Sequence, residues 1–343
     1  MAAVVAVIGR GSGANAQTGP EPGRERGSAE ELIAAIDPLL RADAPDPFVA
    51  VDGGLAWLFT TNTAVGNVPA WRSMGGRLVA TDALPRLPRW AVAGKTWAPA
   101  VIRAGGRWVL AFTATAKLGA DPARHEPDLP RERPGHVRDA GGRQCIGLAT
   151  AATVGGPYAP EPEPLLCDRT RGGAIDPSFV TGADGELWLL FKDDGNCCGL
   201  PTTIRSVRLA ADALGLAGEP RELVGADQRW EGGLVEGPTM TEVGGRWLLL
   251  YSGNRWDAPD YAVGAAWCDG PAGPCRKQAR PALTSGGAMK GPGGTEFVAS
   301  TSVVVFHAWS EDQVGYPLGA RGLRIGRVRV GGRGEVAIRP SPR

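Results

Sequence analysis

The residues predict an all-β fold, a five-bladed β-propeller, on three observations. A cassette of Pro, an apolar residue, a Gly turn and an aromatic-apolar run recurs at intervals of roughly 45 to 80 residues, the scale of propeller blades. The 51 Gly and 29 Pro punctuate the chain densely, yet 11 Trp and repeated apolar runs supply a core, so short strands joined by tight turns replace a disordered reading. Helical periodicity surfaces at one place only.

Taken in order, residues 1–27 read as a signal-like or disordered leader. Residues 2–8 are apolar and Ala14-Asn15-Ala16 has the small-x-small form of a signal peptidase site, although the positive charge that normally precedes such a stretch is missing. Secretion to the extracellular space is the expectation, with residues 28–343 forming one propeller domain. Ser28 followed by Glu31 reads as a capping box, and Leu32, Ile33, Ile36 and Leu40 keep near-helical spacing until Pro38 interrupts. The first cassette is Asp46-Pro47-Phe48-Val49, Gly53-Gly54, Trp57-Leu58-Phe59. The second is Ala98-Pro99-Ala100-Val101, Gly105-Gly106, Trp108-Val109-Leu110-Ala111-Phe112. The third is Asp176-Pro177-Ser178-Phe179, Asp184-Gly185, Trp188-Leu189-Leu190-Phe191, and the fourth is Glu236-Gly237-Pro238-Thr239-Met240, Gly244-Gly245, Trp247-Leu248-Leu249-Leu250-Tyr251. A degenerate fifth copy spans residues 293–309. Each reads as a hairpin whose Gly residues supply the positive φ of a tight turn, with further strands such as residues 146–150 and 204–209 completing the unit. A β-sandwich also yields short strands, but nothing in a sandwich asks for one cassette to repeat. Residues 118–143, rich in Pro, Arg, Asp and His, interrupt the second unit as a solvated loop.

Composition narrows the partners. Lys and Arg total 37 against 36 Asp and Glu, so no strong field draws in a polyanion, and a neutral substrate suits the chain better than nucleic acid. No run approaches the roughly 20 apolar residues of a membrane-spanning helix, so no membrane partner is expected. Cys268 and Cys275 bracket a compact Pro-Gly turn and suit a disulfide in an oxidising compartment; Cys145, Cys167, Cys197 and Cys198 allow several pairings, or none. The three His residues, His125, His136 and His307, match no zinc spacing.

The first position of the cassettes reads Asp46, Ala98, Asp176, Glu236. Radial symmetry brings equivalent positions to one height around the axis, so three carboxylates converge on the mouth of the channel. Clustered carboxylates suit glycoside hydrolysis, which needs one protonated acid for the leaving oxygen and one ionised carboxylate on the anomeric side; mutual repulsion and unequal hydrogen bonding separate their pKa values.

These residues also resemble a known family, the family 43 glycoside hydrolases, over about residues 42–330. The resemblance is carried by Pro45-Asp46-Pro47-Phe48, Thr96-Trp97-Ala98-Pro99, Ile175-Asp176-Pro177-Ser178-Phe179, Lys192-Asp193-Asp194-Gly195-Asn196, Val235-Glu236-Gly237-Pro238, Gly291-Pro292-Gly293-Gly294 and Phe306-His307-Ala308-Trp309. It implies a five-bladed catalytic propeller and inversion, with Asp46 as general base, Asp176 as the carboxylate that raises and positions the acid, and Glu236 as general acid. The base and acid carboxyls should then lie about 6.5–9.5 Å apart to admit a water. By the same resemblance Trp97 offers an apolar face to the sugar, against its reading as a core Trp at a blade junction, and Arg321 reaches the substrate. No cofactor is required. His307 resembles a channel histidine that in some members approaches calcium, so a structural calcium in the central channel is a further expectation, weakened because many members carry His where this chain has Gly294. The implied activity is release of arabinofuranose or xylose from plant-type polysaccharides or oligosaccharides by an α-L-arabinofuranosidase or β-D-xylosidase. The alternatives are an endo-arabinanase, a retaining fructan or sucrose hydrolase, and a catalytically silent carbohydrate-binding propeller.

Overall fold

The computed structural model describes residues 29–36, 43–74, 76–117, 142–298 and 301–342. The leader and residues 118–141 of the expected surface loop lie outside the described residues, as does the capping residue Ser28. The helix that remains, α1 (Ala29–Ala34), leads into the sheets.

Five sheets of four strands follow one another, each a run of consecutive strands. Blade I holds β1 (Phe48–Asp52), β2 (Leu55–Phe59), β3 (Pro69–Met74) and β4 (Arg77–Asp82). Blade II holds β5 (Ala91–Ala104), β6 (Arg107–Ala116), β7 (Gln144–Ala151) and β8 (Ala159–Pro160), and blade III holds β9 (Ala174–Thr181), β10 (Leu187–Asp193), β11 (Thr203–Arg208) and β12 (Arg221–Gly225). Blade IV holds β13 (Val235–Val243), β14 (Arg246–Gly253), β15 (Ala262–Cys268) and β16 (Cys275–Lys277), and blade V holds β17 (Met289–Phe297), β18 (Val303–Ser310), β19 (Gly322–Val330) and β20 (Val336–Pro340). Within each blade the pairings between neighbouring strands are antiparallel, and the architecture is the expected five-bladed propeller.

The apolar runs of the cassettes have a direct cause. Successive side chains of a strand face opposite sides of its sheet, and in a propeller both sides are covered by neighbouring blades. In β10, Leu189 and Phe191 pack into the junction with blade II, whereas Leu190 packs toward blade IV. The junction of blades I and II gathers Phe59, Trp90, Leu110 and Phe112, and that of IV and V gathers Leu250, Val263, Val304 and Phe306. At the junction of V and I, Val305, Leu323 and Ile325 meet Val49, Leu58 and Trp71, and α1 with the turn after it adds Ile33 and Ile36, both fully buried.

All six cysteines are bonded, Cys268 to Cys275 as anticipated, Cys145 to Cys167, and Cys197 to its neighbour Cys198. Cys145 lies on β7, and its partner follows β8, so that bridge ties the outer edge of blade II to the approach to blade III. Among the described residues, no helix is long and apolar enough to cross a membrane.

The innermost strand of blades II to V carries a bulge near its start. Ile175 pairs with Lys192 and Ser178 with Leu190, so Asp176 and Pro177 face Phe191 alone; Trp97/Ala100, Glu236/Thr239 and Gly293/Glu296 repeat this shift. The first bulge residue of blades II to V is left-handed, Ala98 (φ 43°), Asp176 (56°), Gly237 (56°) and Gly294 (57°), and so is Asp46 (50°) at the corresponding point just before β1. Non-glycine residues rarely adopt this conformation, and bulges of this kind re-aim a side chain. Here the register corrects the sequence reading. The structural equivalent of Asp46 and Asp176 in blade IV is Gly237, and Glu236 occupies the preceding position, shared with Trp97, Ile175 and Gly293. The extra residue in Glu236-Gly237-Pro238, set against Asp176-Pro177, concealed the offset.

Candidate active site

The strand after the bulge explains how the site is held. Thr61, Thr113, Lys192, Ser252 and His307 occupy one equivalent position on the second strand of each blade or just beyond it. From there, a side chain captures the bulge N–H of the following blade. Ala98 N–H donates to Thr61 Oγ1 (2.9 Å), Asp176 N–H to Thr113 Oγ1 (3.1 Å) and Gly294 N–H to Ser252 Oγ (3.0 Å). Asp46 N–H donates to His307 Nδ1 (3.1 Å), which closes the circle from blade V to blade I. Lys192 cannot accept a hydrogen bond, and Gly237 N–H donates instead to Asp176 Oδ2 (2.9 Å).

The three carboxylates predicted from sequence therefore gather at one end of the ring, in unlike surroundings. Asp46 accepts the Thr61 hydroxyl at Oδ2 (2.6 Å) and faces the Arg321 guanidinium at Oδ1 (3.4 Å). Burial alone would raise its pKa, but Arg321 and the Thr61 hydroxyl outweigh it and hold Asp46 below the ordinary value, as an ionised group. Its side chain retains 24% exposure, which leaves it open to water.

Asp176 is the opposite case. Burial and the neighbouring Glu236 carboxylate push it up to about 7, against the pull of Lys192. Glu236, on the next blade, has both oxygens engaged: Tyr261 donates its hydroxyl to Oε1 (2.8 Å) and the Lys192 ammonium donates to Oε2 (2.9 Å). Asp194 Oδ1 lies 3.6 Å from the same ammonium. Asp176 is thus a carboxyl that titrates near neutral pH, where its charge can act on Glu236 beside it.

His307 is fully buried, its ring stacked on Tyr261 at 6.1 Å, so it bridges the surroundings of Asp46 and Glu236. Burial pushes it down to about 3, and it is neutral. Because Nδ1 accepts the Asp46 N–H, the ring proton sits on Nε2, a buried atom with no hydrogen-bond partner. That nitrogen offers a donor and not a lone pair, and among the described residues no group of three or more His, Cys, Asp or Glu is arranged to hold a metal ion. The residues present do not fit calcium bound through His307. Gly294 explains the departure noted in the sequence: a Cβ there would lie 2.6 Å from the His307 ring and 3.1 Å from Asp46 Oδ1, so no side chain fits beside this histidine.

Of the remaining sequence candidates, Arg321 is placed beside Asp46, and its guanidinium also lies over Trp256 (4.8 Å) and Tyr316 (5.7 Å). Trp97 is half-buried at the position equivalent to Glu236, with Lys95 over its ring at 6.0 Å; it is not among the core residues of the blade junctions. Sequence reasoning named Lys192 within a motif but gave it no role, and it missed Tyr261 and the aromatic wall of Trp256 (38% exposed) and Tyr316 (46% exposed), which stand on Trp309 beside Arg321. Lys192 had a readable signal, a lysine directly after the apolar run Trp188-Leu189-Leu190-Phe191, where the equivalent runs end in Thr113, Ser252 and His307. It also missed Glu296 inside the channel, which burial pushes up to about 8 while it accepts hydrogen bonds from Thr239 (2.5 Å) and Ser178 (3.2 Å).

Comparison with known proteins agrees with this fold. The family model described as glycosyl hydrolases family 43 matches residues 36–332. No curated protein sequence matches. Among solved structures, a thermostable family-43 glycoside hydrolase is similar with a TM-score of 0.70 and 23% identity, covering 87% of this chain and 94% of that one. An α-L-arabinofuranosidase from Lactobacillus brevis (TM-score 0.68, 18% identity) covers 85% and 93% respectively. An endo-1,4-β-xylanase from Bacteroides thetaiotaomicron (TM-score 0.66, 22% identity) covers 88% and 95%. At these identities the likeness speaks for the fold.

Proposed function

The chain belongs to glycosyl hydrolase family 43, and on that premise we propose that it is an inverting, exo-acting hydrolase that releases arabinofuranose or xylose, with Asp46 as base, Glu236 as acid and Asp176 as the partner of the acid. The observation that carries the reading is the unlike surroundings of three carboxylates at one mouth: Asp46 held ionised by Arg321, and Asp176 raised to about 7 by burial and the neighbouring Glu236. In a single displacement, Asp46 removes a proton from water while the water oxygen attacks the anomeric carbon. The bond to the departing oxygen breaks as Glu236 gives that oxygen a proton, and the product carries the inverted configuration. Asp176 accepts Gly237 N–H next to the acid and so fixes the backbone that carries Glu236, and its carboxyl, raised to about 7, is the neighbouring charge that acts on the acid.

Trp256 and Tyr316 support a sugar-binding pocket, since exposed aromatic faces beside a charged group suit the apolar face of a pentose ring. Three disulfides support secretion, because such bonds persist in oxidising compartments. The test is hydrolysis of nitrophenyl α-L-arabinofuranoside and β-D-xyloside beside linear arabinan, by wild type, Asp46→Ala and Glu236→Ala. The expected result is release from a nitrophenyl glycoside by wild type, with a loss of about 10²-fold or more in Asp46→Ala. Activity confined to arabinan would replace the exo reading with an endo one; silence on all three would remove both.

A further inference from the structure

Lys192 breaks the pattern that builds the ring. At its equivalent positions, Thr61, Thr113, Ser252 and His307 each accept the bulge N–H of the next blade; a lysine gives up that inter-blade bond. Its side chain is 1% exposed, and a buried ammonium is costly unless paired. If the position served the fold alone, a hydroxyl would serve it, as in blades I and II. The ammonium instead donates to Glu236 Oε2 at 2.9 Å and lies 3.6 Å from Asp194 Oδ1. On the other side of Glu236 stands the Tyr261 hydroxyl, and Asp176 and Asp46 are the other charged groups of the mouth acting on this cluster.

We propose that Lys192 is a positioning residue of the acid step, which fixes the Glu236 carboxyl against Tyr261 and stabilises the negative charge that appears there when its proton passes to the departing oxygen. The inference rests on the hydrolase reading and deepens it. Burial alone would lower the lysine pKa, but Glu236 and Asp194 raise it above the ordinary value, so the ammonium keeps its charge through the reaction. An acidic phenol departs without protonation, whereas an alkoxide requires it. The contribution of Lys192 must therefore depend on the leaving group.

The experiment compares dinitrophenyl and methyl glycosides of α-L-arabinofuranose and β-D-xylopyranose, with wild type, Glu236→Ala, Lys192→Thr and Lys192→Gln. Lys192→Thr installs the hydroxyl of blades I and II, and Lys192→Gln keeps a donor toward Glu236 without the charge; thermal midpoints verify folding of both. Kcat on the methyl glycoside should fall on the order of 10- to 100-fold in the lysine variants, and less than about threefold on the dinitrophenyl glycoside, following Glu236→Ala in direction. Equal losses on the two substrates would assign Lys192 to the fold alone, and no loss on either would overturn the proposal as well. A wild type inactive on both substrates would instead sink the hydrolase reading, and this inference with it.

Discussion

Gly294→Ala is a small change placed where the site has no slack. At φ 57° an alanine pays about 1–2 kcal/mol for the left-handed conformation. The added Cβ would also sit 2.6 Å from His307 Cε1 and Nδ1, and the ring cannot retreat freely, being fully buried and stacked on Tyr261. Displacing it breaks the bond from Asp46 N–H, and a buried donor left without a partner costs about 1–3 kcal/mol. The variant should lose about 2–5 kcal/mol, or about 4–10 °C of thermal midpoint at about 2 °C per kcal/mol for a domain of this size. Because Asp46 moves with its backbone, kcat/KM should fall by about 10²-fold, the effect of misplacing a reacting group by about 1 Å. Gly185→Ala is the control: it is also left-handed (φ 79°), with nothing within 4 Å of the added Cβ, so it should show the conformational cost and retain activity. Scanning calorimetry and initial rates read both variants. A Gly294→Ala enzyme matching Gly185→Ala in activity would refute the argument that His307 locks the base.

Two further predictions concern protons. Arg321→Met removes the cation that holds Asp46 low, so the base keeps its proton to higher pH and the acid limb of the kcat/KM profile moves upward; an unmoved limb would separate Arg321 from Asp46. Asp176, raised from 3.8 to about 7, keeps a proton that the unfolded chain releases, so it makes stability fall as pH rises through that window. Asp176→Asn, whose amide oxygen can still accept Gly237 N–H, should flatten the decline of thermal midpoint between those pH values, leaving the part due to Glu296; a wild-type slope in the variant would show that Asp176 is not the proton carrier.

Much of this site was legible because local chemistry writes it. The apolar runs, Gly turns and Asp-Pro pairs mark inner strands, and their repeat phase brings Asp46, Asp176 and Glu236 to one end of the ring. The one-residue offset of Glu236 was not legible, since bulge phase depends on which backbone N–H pairs across the strands, and Glu236-Gly237-Pro238 and Asp176-Pro177 read alike as acid followed by Pro. Tyr261, Trp256 and Tyr316 come from connections outside the cassette, where no periodicity predicts which side chain turns inward. The raised pKa of Asp176 was hidden for another reason: it depends on burial at the mouth and on the Glu236 carboxylate, which the next blade supplies.

The seam between blades V and I has a consequence for how the enzyme fails. Among the described residues the first and last blades exchange no strand, because each sheet is completed by its own four strands. What fastens the ends is the apolar junction with α1 and a short row of polar clasps: Asp46 to His307, Ala44 to Arg321, and Asp43 to Arg321 and Tyr316. Those clasps are the surroundings of the base itself. The molecule therefore cannot unbuckle at this closure and remain active: a ring sprung at the seam would retain all its sheets, yet its nucleophilic water would have lost its general base. Activity here depends on circumference, with the reactive centre serving as the clasp of the belt.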